Sequence, residues 1–208
     1  DWELIVVDDG SSDGTVKVVA EAAVRQPRIS CIELGVNQGK GAAVRRGMLA
    51  ARGRRVLFMD ADLATPMNQL SLLERALDEG ASVAIGSRGT KGSSVRRSQG
   101  FLRQNMGKTF NLIVRAVALD GIRDTQCGFK LFTREAVDAI FPRTTVDRFA
   151  FDVELLILAR ELGFSIAEVP IEWFHVPESR VSPGGDALKM LLDVVRIRWR
   201  HRNLRSLP

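Results

Sequence analysis

The chain contains no tyrosine, ten phenylalanines, three tryptophans and only two cysteines. Single-stranded nucleic-acid binding wants aromatic stacking platforms, so this scarcity argues against it and no nucleic-acid partner is expected. Cys31 and Cys127 lack metal-ligand spacing, and Cys31 sits in an apolar strand. The reading is two reduced structural thiols, the usual state in a cytosolic protein. No apolar run approaches the length of a membrane span. No signal peptide is visible, because the chain opens with Asp1-Trp2-Glu3 in a strand, and that abrupt opening suggests a fragment. Internal repeats and low-complexity segments are absent. A P-loop is absent too: Gly35 precedes Gly39 by one residue too few, and Gly41 stands where the hydroxyl should follow Lys40.

What is there suits a single α/β domain of 208 residues with 45% hydrophobic content, enough for a real core. The net charge of +5 and pI near 9.8 favour anionic partners such as phosphates or an anionic membrane face.

The stretch Val56-Leu-Phe-Met-Asp-Ala-Asp62 organises the rest. Four apolar residues read as a buried parallel strand, with Asp60 and Asp62 at its carboxyl end, where open α/β sheets bind ligands. Two carboxylates that close repel by about 1 kcal/mol in water and several times more at lower effective dielectric. A divalent cation removes that cost, and hard cations in such sites usually hold phosphates. The plain alternative is two acids on a solvated turn. An aspartyl-phosphate phosphatase is rejected, because Ala64 occupies the motif's last position and the acids follow the third strand rather than the first.

Strands are expected at Trp2–Val7, Arg28–Leu34, Arg54–Met59 and Ser82–Gly86. Helices near Val16–Arg25, Ala42–Ala51 and Pro66–Glu79 alternate with them, which predicts a mainly parallel, doubly wound sheet. Arg88–Gly100 reads as a polar loop with the character of a lid. A helix near Phe101–Ala118, a loop and short strand over Asp124–Phe132, and helices near Arg134–Ile140 and Phe151–Leu162 follow. Ser165–Trp173 is a strand carrying Pro170, hence an edge. A loop over Val176–Gly185 and a helix over Asp186–Arg202 close the chain. The expected division is a nucleotide-binding half (1–86), an acceptor half (87–183) and a basic C-terminal helix (184–208).

Several candidates have competing readings. Asp9 shares the carboxyl edge and suits a base or ribose, unless it only caps a helix turn. Lys40 meets a diphosphate or is merely solvated. Arg88, Arg96, Arg97 and Arg103 are suited to bidentate phosphate recognition, with a solvated basic surface as the alternative. Asp152 either caps its helix or, flanked by Phe149 and Phe151, serves as a base or substrate ligand with a shifted pKa. His175 reads as structural. In the last helix, Leu188, Leu191, Leu192, Val195 and Trp199 form an apolar stripe among arginines. It is expected to pack inward while the arginines face lipid headgroups.

Together, Val6-Val-Asp-Asp-Gly-Ser-Ser-Asp-Gly-Thr15, Asn37-Gln-Gly-Lys-Gly41 and Asp60-Ala-Asp62 resemble family 2 glycosyltransferases of the GT-A fold. Gly86-Ser-Arg88, Asp124-Thr-Gln-Cys-Gly-Phe-Lys-Leu-Phe132, Phe151-Asp-Val-Glu154 and Glu168-Val-Pro-Ile-Glu-Trp173 narrow the resemblance. They look like the dolichyl-phosphate β-glucosyltransferases and their prokaryotic polyprenyl-phosphate relatives.

The resemblance implies inverting transfer of glucose from UDP-glucose to a polyprenyl or dolichyl phosphate, with Mg2+ or Mn2+, at the cytoplasmic face of a membrane. It places Asp62 and Asp152 as catalytic candidates and Asp60 with Asp62 as metal ligands, Asp62 directly. Asp9, Lys40, Asp60, Ala61 and Arg88 fall on the donor side. Arg97, Arg103, Asp124 and Gln126 fall on the acceptor and phosphate side, Arg103 nearest the lipid phosphate. Mannose-specific relatives carry a metal-touching Gln near Ala64, so alanine there favours glucose over GDP-mannose. A transferase with a soluble hydroxyl acceptor and a non-catalytic nucleotide-sugar-binding module are the other readings. The family opens with a strand and a Pro-x-Tyr-Asn-Glu-like segment; this chain starts one strand later, which is expected to leave two strand edges unpaired.

Overall fold

A computed structural model describes residues 1–96, 119–148, 150–174 and 185–201, with backbone only at 95, 96 and 185–192. The expected helix at 101–118, the loop after 175, His175, Phe149, Arg97 and Arg103 lie outside these residues.

The first half alternates as the apolar runs dictate: β1 (Leu4–Asp8), α1 (Thr15–Arg25), β2 (Ile29–Glu33), α2 (Lys40–Ala50) and β3 (Arg55–Met59). A short 3-10 turn at Met67–Gln69 then leads into α3 (Leu70–Asp78), followed by β4 (Val83–Ser87) and a short β5 (Ser94–Arg96) inside the polar loop. The second half holds β6 (Phe129–Thr133), α4 (Arg134–Ile140), α5 (Phe151–Glu161), β7 (Ile166–Pro170), β8 (Glu172–Phe174) and α6 (Gly185–His201). The expected strand over 165–173 is thus two strands, broken at Ile171 after Pro170, which cannot donate to a ladder.

Pairing is parallel for β1 with β2, β4 with β7, and β5 with β8. The central sheet runs β3-β6-β4-β7, and β6 is antiparallel to both of its neighbours. The parallel alternation therefore holds with one reversal, and the strand expected to be parallel at Val56–Met59 has only the antiparallel β6 bonded to it among the described residues. Among the described residues β1 bonds only to β2 and β3 only to β6, so each keeps one unpaired edge. Helix α2 joins the two sheets: Gly47 lies against Val7 of β1, and Met48 enters the core beside Val56 and Phe58 of β3.

The central sheet is buried on both faces, following its period of two. Val56, Phe58, Val83, Ile85 and Phe132 pack toward α4 and α5. Ala84, Phe129 and Leu131 pack toward Leu73 and Leu77 of α3. Helix α5 is buried on nearly every side, which suits its almost continuous apolar sequence. Its two first-turn acids, Asp152 and Glu154, are consequently carried into the interior.

Helix α6 corrects the expected stripe. Val194, Ile197 and His201 face inward, whereas Val195 and Trp199 face out. Two apolar registers overlap on this helix, and the inward one ends in a histidine whose ring meets Glu154 Oε1 at 3.0 Å.

Candidate active site

The strand β3 delivers its acids into a tight turn. Asp60 N–H donates to the Gly128 carbonyl at 2.9 Å, Leu63 N–H to the Asp60 carbonyl at 3.3 Å, and Ala64 N–H to Asp62 Oδ1 at 3.0 Å. Leu63 adopts φ = 54°, a left-handed conformation rare for a γ-branched residue. Asp60 and Asp62 line one pocket, together with Thr65, Gly128, Phe129 and Trp173. Gly128 is needed there for space: a Cβ at this position would sit 2.1–2.4 Å from the Asp60 carboxylate atoms.

Asp9 and Lys40 reach the same rim through the loop before α2. The Asp9 carboxylate accepts from Gln38 N–H at 2.7 Å, Gly39 N–H at 3.0 Å and the Asn37 side-chain amide at 2.9 Å. The Asp147 carbonyl receives Gly41 N–H at 2.7 Å, and only glycine fits at 39 and 41, where a Cβ would lie 2.3 Å from the Asp147 and Val146 carbonyls respectively. The loop so fixed places Lys40 Nζ 2.6 Å from Asp60 Oδ1 and 5.8 Å over the Phe151 ring. Burial alone would lower the Lys40 pKa, but Asp60 and then Asp152 outweigh it and the pKa is raised. Asp8, not Asp9, caps the first turn, accepting from Gly10 and Ser11 N–H. Asp13 bonds Thr15 rather than capping α1, whose N-cap, Gly14, has no side chain to do so.

Asp152 does not cap α5. Its Oδ1 accepts from the ammonium of Lys130, which has no exposed surface. Burial drives the Asp152 carboxyl above its ordinary range, opposed by Lys130 and then Lys40. The site thus alternates in charge: Lys130, Asp152, Lys40, Asp60.

Arg88 lies 5.4 Å over the ring of Trp173, which lines the acid pocket. Its Nε and Nη2 donate to the two oxygens of Asp124 at 2.7 and 2.8 Å. Glu168 in turn accepts from Asp124 N–H at 2.8 Å and Arg123 N–H at 3.1 Å. Burial would raise the Asp124 pKa, but Arg88 dominates and lowers it. Asp124, expected on the acceptor side, is therefore buried with both oxygens bonded, and it anchors Arg88. Gln126 shares the same turn, where its N–H donates to Asp124 Oδ1 at 3.3 Å. Ala61 is exposed between the two acids.

The donor set fits a hard divalent cation. Both acids offer carboxylate oxygen, and Asp60 already draws a positive charge to 2.6 Å. Among the described residues no group of three or more His, Cys, Asp or Glu could hold an ion. Asp60 and Asp62 are the residues that would hold it.

Sequence reasoning missed Lys130, Gly128, Trp173 and Glu168 as parts of this site. The available signal was one lysine inside the apolar run Phe129-Lys-Leu-Phe132, where a solvated residue has no place.

An α/β sheet that gathers two carboxylates, an ammonium and a loop-bound aspartate on one rim is the architecture of the GT-A fold. The comparisons agree. The model of "Glycosyl transferase family 2" matches residues 1–141, and the chain belongs to that family. Dolichyl-phosphate beta-glucosyltransferase of Dictyostelium discoideum is 40% identical over 207 residues, covering 96% of this chain and 63% of the relative. The Homo sapiens protein of the same name is 39% identical over 210 residues, covering 96% and 64%. The chain spans about three-fifths of the length of these relatives. Among solved structures, glucosyl-3-phosphoglycerate synthase from Mycobacterium tuberculosis, in complex with Mn2+, UDP and glucosyl-3-phosphoglycerate, superposes with a TM-score of 0.66. It is 22% identical, with 99% of this chain and 70% of that one covered. Mannosyl-3-phosphoglycerate synthase from Rubrobacter xylanophilus gives a TM-score of 0.67 at 22% identity, with 98% and 64% covered.

Proposed function

We propose that the protein transfers glucose from UDP-glucose to a dolichyl or other polyprenyl phosphate, with inversion at the anomeric carbon. The observation that carries this reading is the convergence of Asp60 and Asp62 on one pocket at the sheet rim, with Lys40 paired to Asp60 at 2.6 Å. Identity of about 40% over nearly the whole chain to proteins named dolichyl-phosphate beta-glucosyltransferase supports glucose as the sugar and dolichyl phosphate as the acceptor.

In this reading an oxygen of the acceptor phosphate attacks the anomeric carbon. The bond from that carbon to the diphosphate breaks, and UDP departs with the electron pair. Asp60 and Asp62 would hold a divalent cation, whose Lewis acidity would stabilise the departing diphosphate. Lys40 and Arg88 add fixed positive charge where negative charge develops. Asp9 holds the loop that presents Lys40 and borders the uridine side. The acceptor is already an oxyanion at neutral pH, its second pKa being about 6 by analogy with other phosphomonoesters, so no strong base is required. Asp152 then orients the acceptor or sugar. Arg97 and Arg103 take the acceptor phosphate, and the outer face of α6 meets an anionic membrane at its cytoplasmic side.

The test is turnover of UDP-glucose with dolichyl phosphate in detergent, with Mn2+ or Mg2+ and with EDTA. The expected products are dolichyl phosphoglucose and UDP, abolished by EDTA and by Asp62→Ala. Transfer from GDP-mannose in preference to UDP-glucose overturns the donor assignment. Transfer to a soluble hydroxyl overturns the acceptor assignment, and binding of donor without transfer overturns both.

A further inference from the structure

A lysine without exposed surface stands in the middle of the central sheet. Lys130 lies opposite Phe58 on β3 and Ile85 on β4, on the face of β6 that also sends Phe132 into the core. Strand pairing uses only its backbone, and a methionine would fill similar volume with no charge to desolvate. Among the described residues its ammonium has two hydrogen-bond partners. It donates to Asp152 Oδ1 on α5, and to the Cys127 carbonyl at 2.6 Å, while lying 5.1 Å from the centre of the Phe58 ring. That carbonyl begins the turn whose next residue, Gly128, seats Asp60. One buried cation therefore ties the candidate carboxylate of α5 to the turn beneath the metal-binding acid of β3.

We infer that Lys130 is a positioning residue for transfer, fixing the Asp152 carboxylate and the Cys127–Gly128 turn in one geometry. The inference rests on the proposed function in one respect, that Asp152 works on donor or acceptor. Among the described residues the charged and titratable groups around Asp152 are Lys130 from β6, Lys40 from α2, Asp60 from β3, and more distantly Arg88 and Cys127. Among the described residues Lys130 is the one that bonds it directly, through Oδ1.

The experiment compares Lys130→Met, Lys130→Gln, Asp152→Asn and the double variant Lys130→Met/Asp152→Asn with wild type. Lys130→Met is expected to lower kcat on the order of 100-fold while the KM for UDP-glucose changes less than about threefold, since a small misplacement can cost that much. Its melting temperature falls, because a buried carboxylate is stranded. The double variant regains the melting temperature without regaining kcat. Lys130→Gln keeps a donor but removes the charge, so the acid limb of its pH–rate profile moves upward by about one unit. Lys130→Gln is the probe if Lys130→Met fails to fold. A kcat within threefold of wild type, or an acid limb that does not move, overturns the inference. Absence of transfer by wild type counts against the proposed function instead. In that event a crystal structure of Lys130→Gln decides: Asp152 and the 127–128 turn displaced by more than about 0.5 Å support the positioning role, and unmoved groups overturn it.

Discussion

Gly128 has ordinary backbone angles, so its constraint is one of room rather than of conformation, and the space it leaves is filled by the carboxylate of Asp60. Gly128→Ala is accordingly expected to push Asp60 off its seat while the sheet survives. The stability cost should be that of one overpacked methyl, about 1–3 kcal/mol. Manganese-dependent binding of UDP-glucose, measured by calorimetry, should weaken at least tenfold, and a variant binding as tightly as wild type would show that Asp60 does not need this position. Part of this was legible in the sequence. The acids at 60 and 62, with their two-residue spacing after an apolar run, announce themselves. Arg88 and Asp124 read in sequence as separate groups, one on the donor side and one on the acceptor side, and their pairing depends on a fold that joins residues far apart in the chain. Lys130 hides for the same reason, because one charged letter in a strand does not say which partner neutralises it.

Where an element begins and ends was readable; which way it runs and which face it turns inward was less so. The boundaries of β3, α4 and α5 follow from apolar runs and their limits. The reversed direction of β6 does not, since an apolar run has no arrow. Nor does the seating of α6, where the inward register of Val194 and Ile197 ends in His201 and is outscored by the more regular Leu188-to-Trp199 stripe. What fixes α6 is Glu154 of α5, fully buried and accepting from Thr145 N–H and Val146 N–H at 2.9 Å, the Thr145 hydroxyl at 2.7 Å and His201. Arg198 adds a 2.6 Å pair with Glu161. Burial would raise the Glu154 pKa, but the bonds from His201 and then Thr145 prevail and lower it from its ordinary 4.5. A depressed carboxylate contributes stability that is full above its unfolded pKa and is lost as pH falls through the folded one. Glu154→Gln should therefore lower the melting temperature most at neutral pH, at a cost of about 1–3 kcal/mol for buried donors left poorly paired. The gap to wild type should narrow below pH 4.5. Melting curves from pH 7 to pH 3 measure it, and a gap independent of pH would remove the ionised carboxylate from the account.

At the scale of the whole molecule, the pattern of charge matters more than its sum. The net +5 alone says only that anions are welcome. The outer face of α6 is more specific, for it sets the exposed Val195 and Trp199 beside the exposed Arg196 and Arg200. No helix among the described residues is long and apolar enough to cross a membrane. A face that offers an indole and an aliphatic group between arginines suits the boundary between headgroups and acyl chains. Each arginine near an anionic surface contributes about 1 kcal/mol, screened over a Debye length of about 8 Å at physiological salt. Binding to phosphatidylserine-rich vesicles, followed by sedimentation, should weaken as salt rises. Arg196→Glu/Arg200→Glu should reduce it at least tenfold, and Val195→Ala/Trp199→Ala should reduce it at every salt concentration, since the apolar contribution is not screened. The two double variants thus separate charge from insertion. If both sediment with vesicles as wild type does, α6 is not the surface that meets lipid.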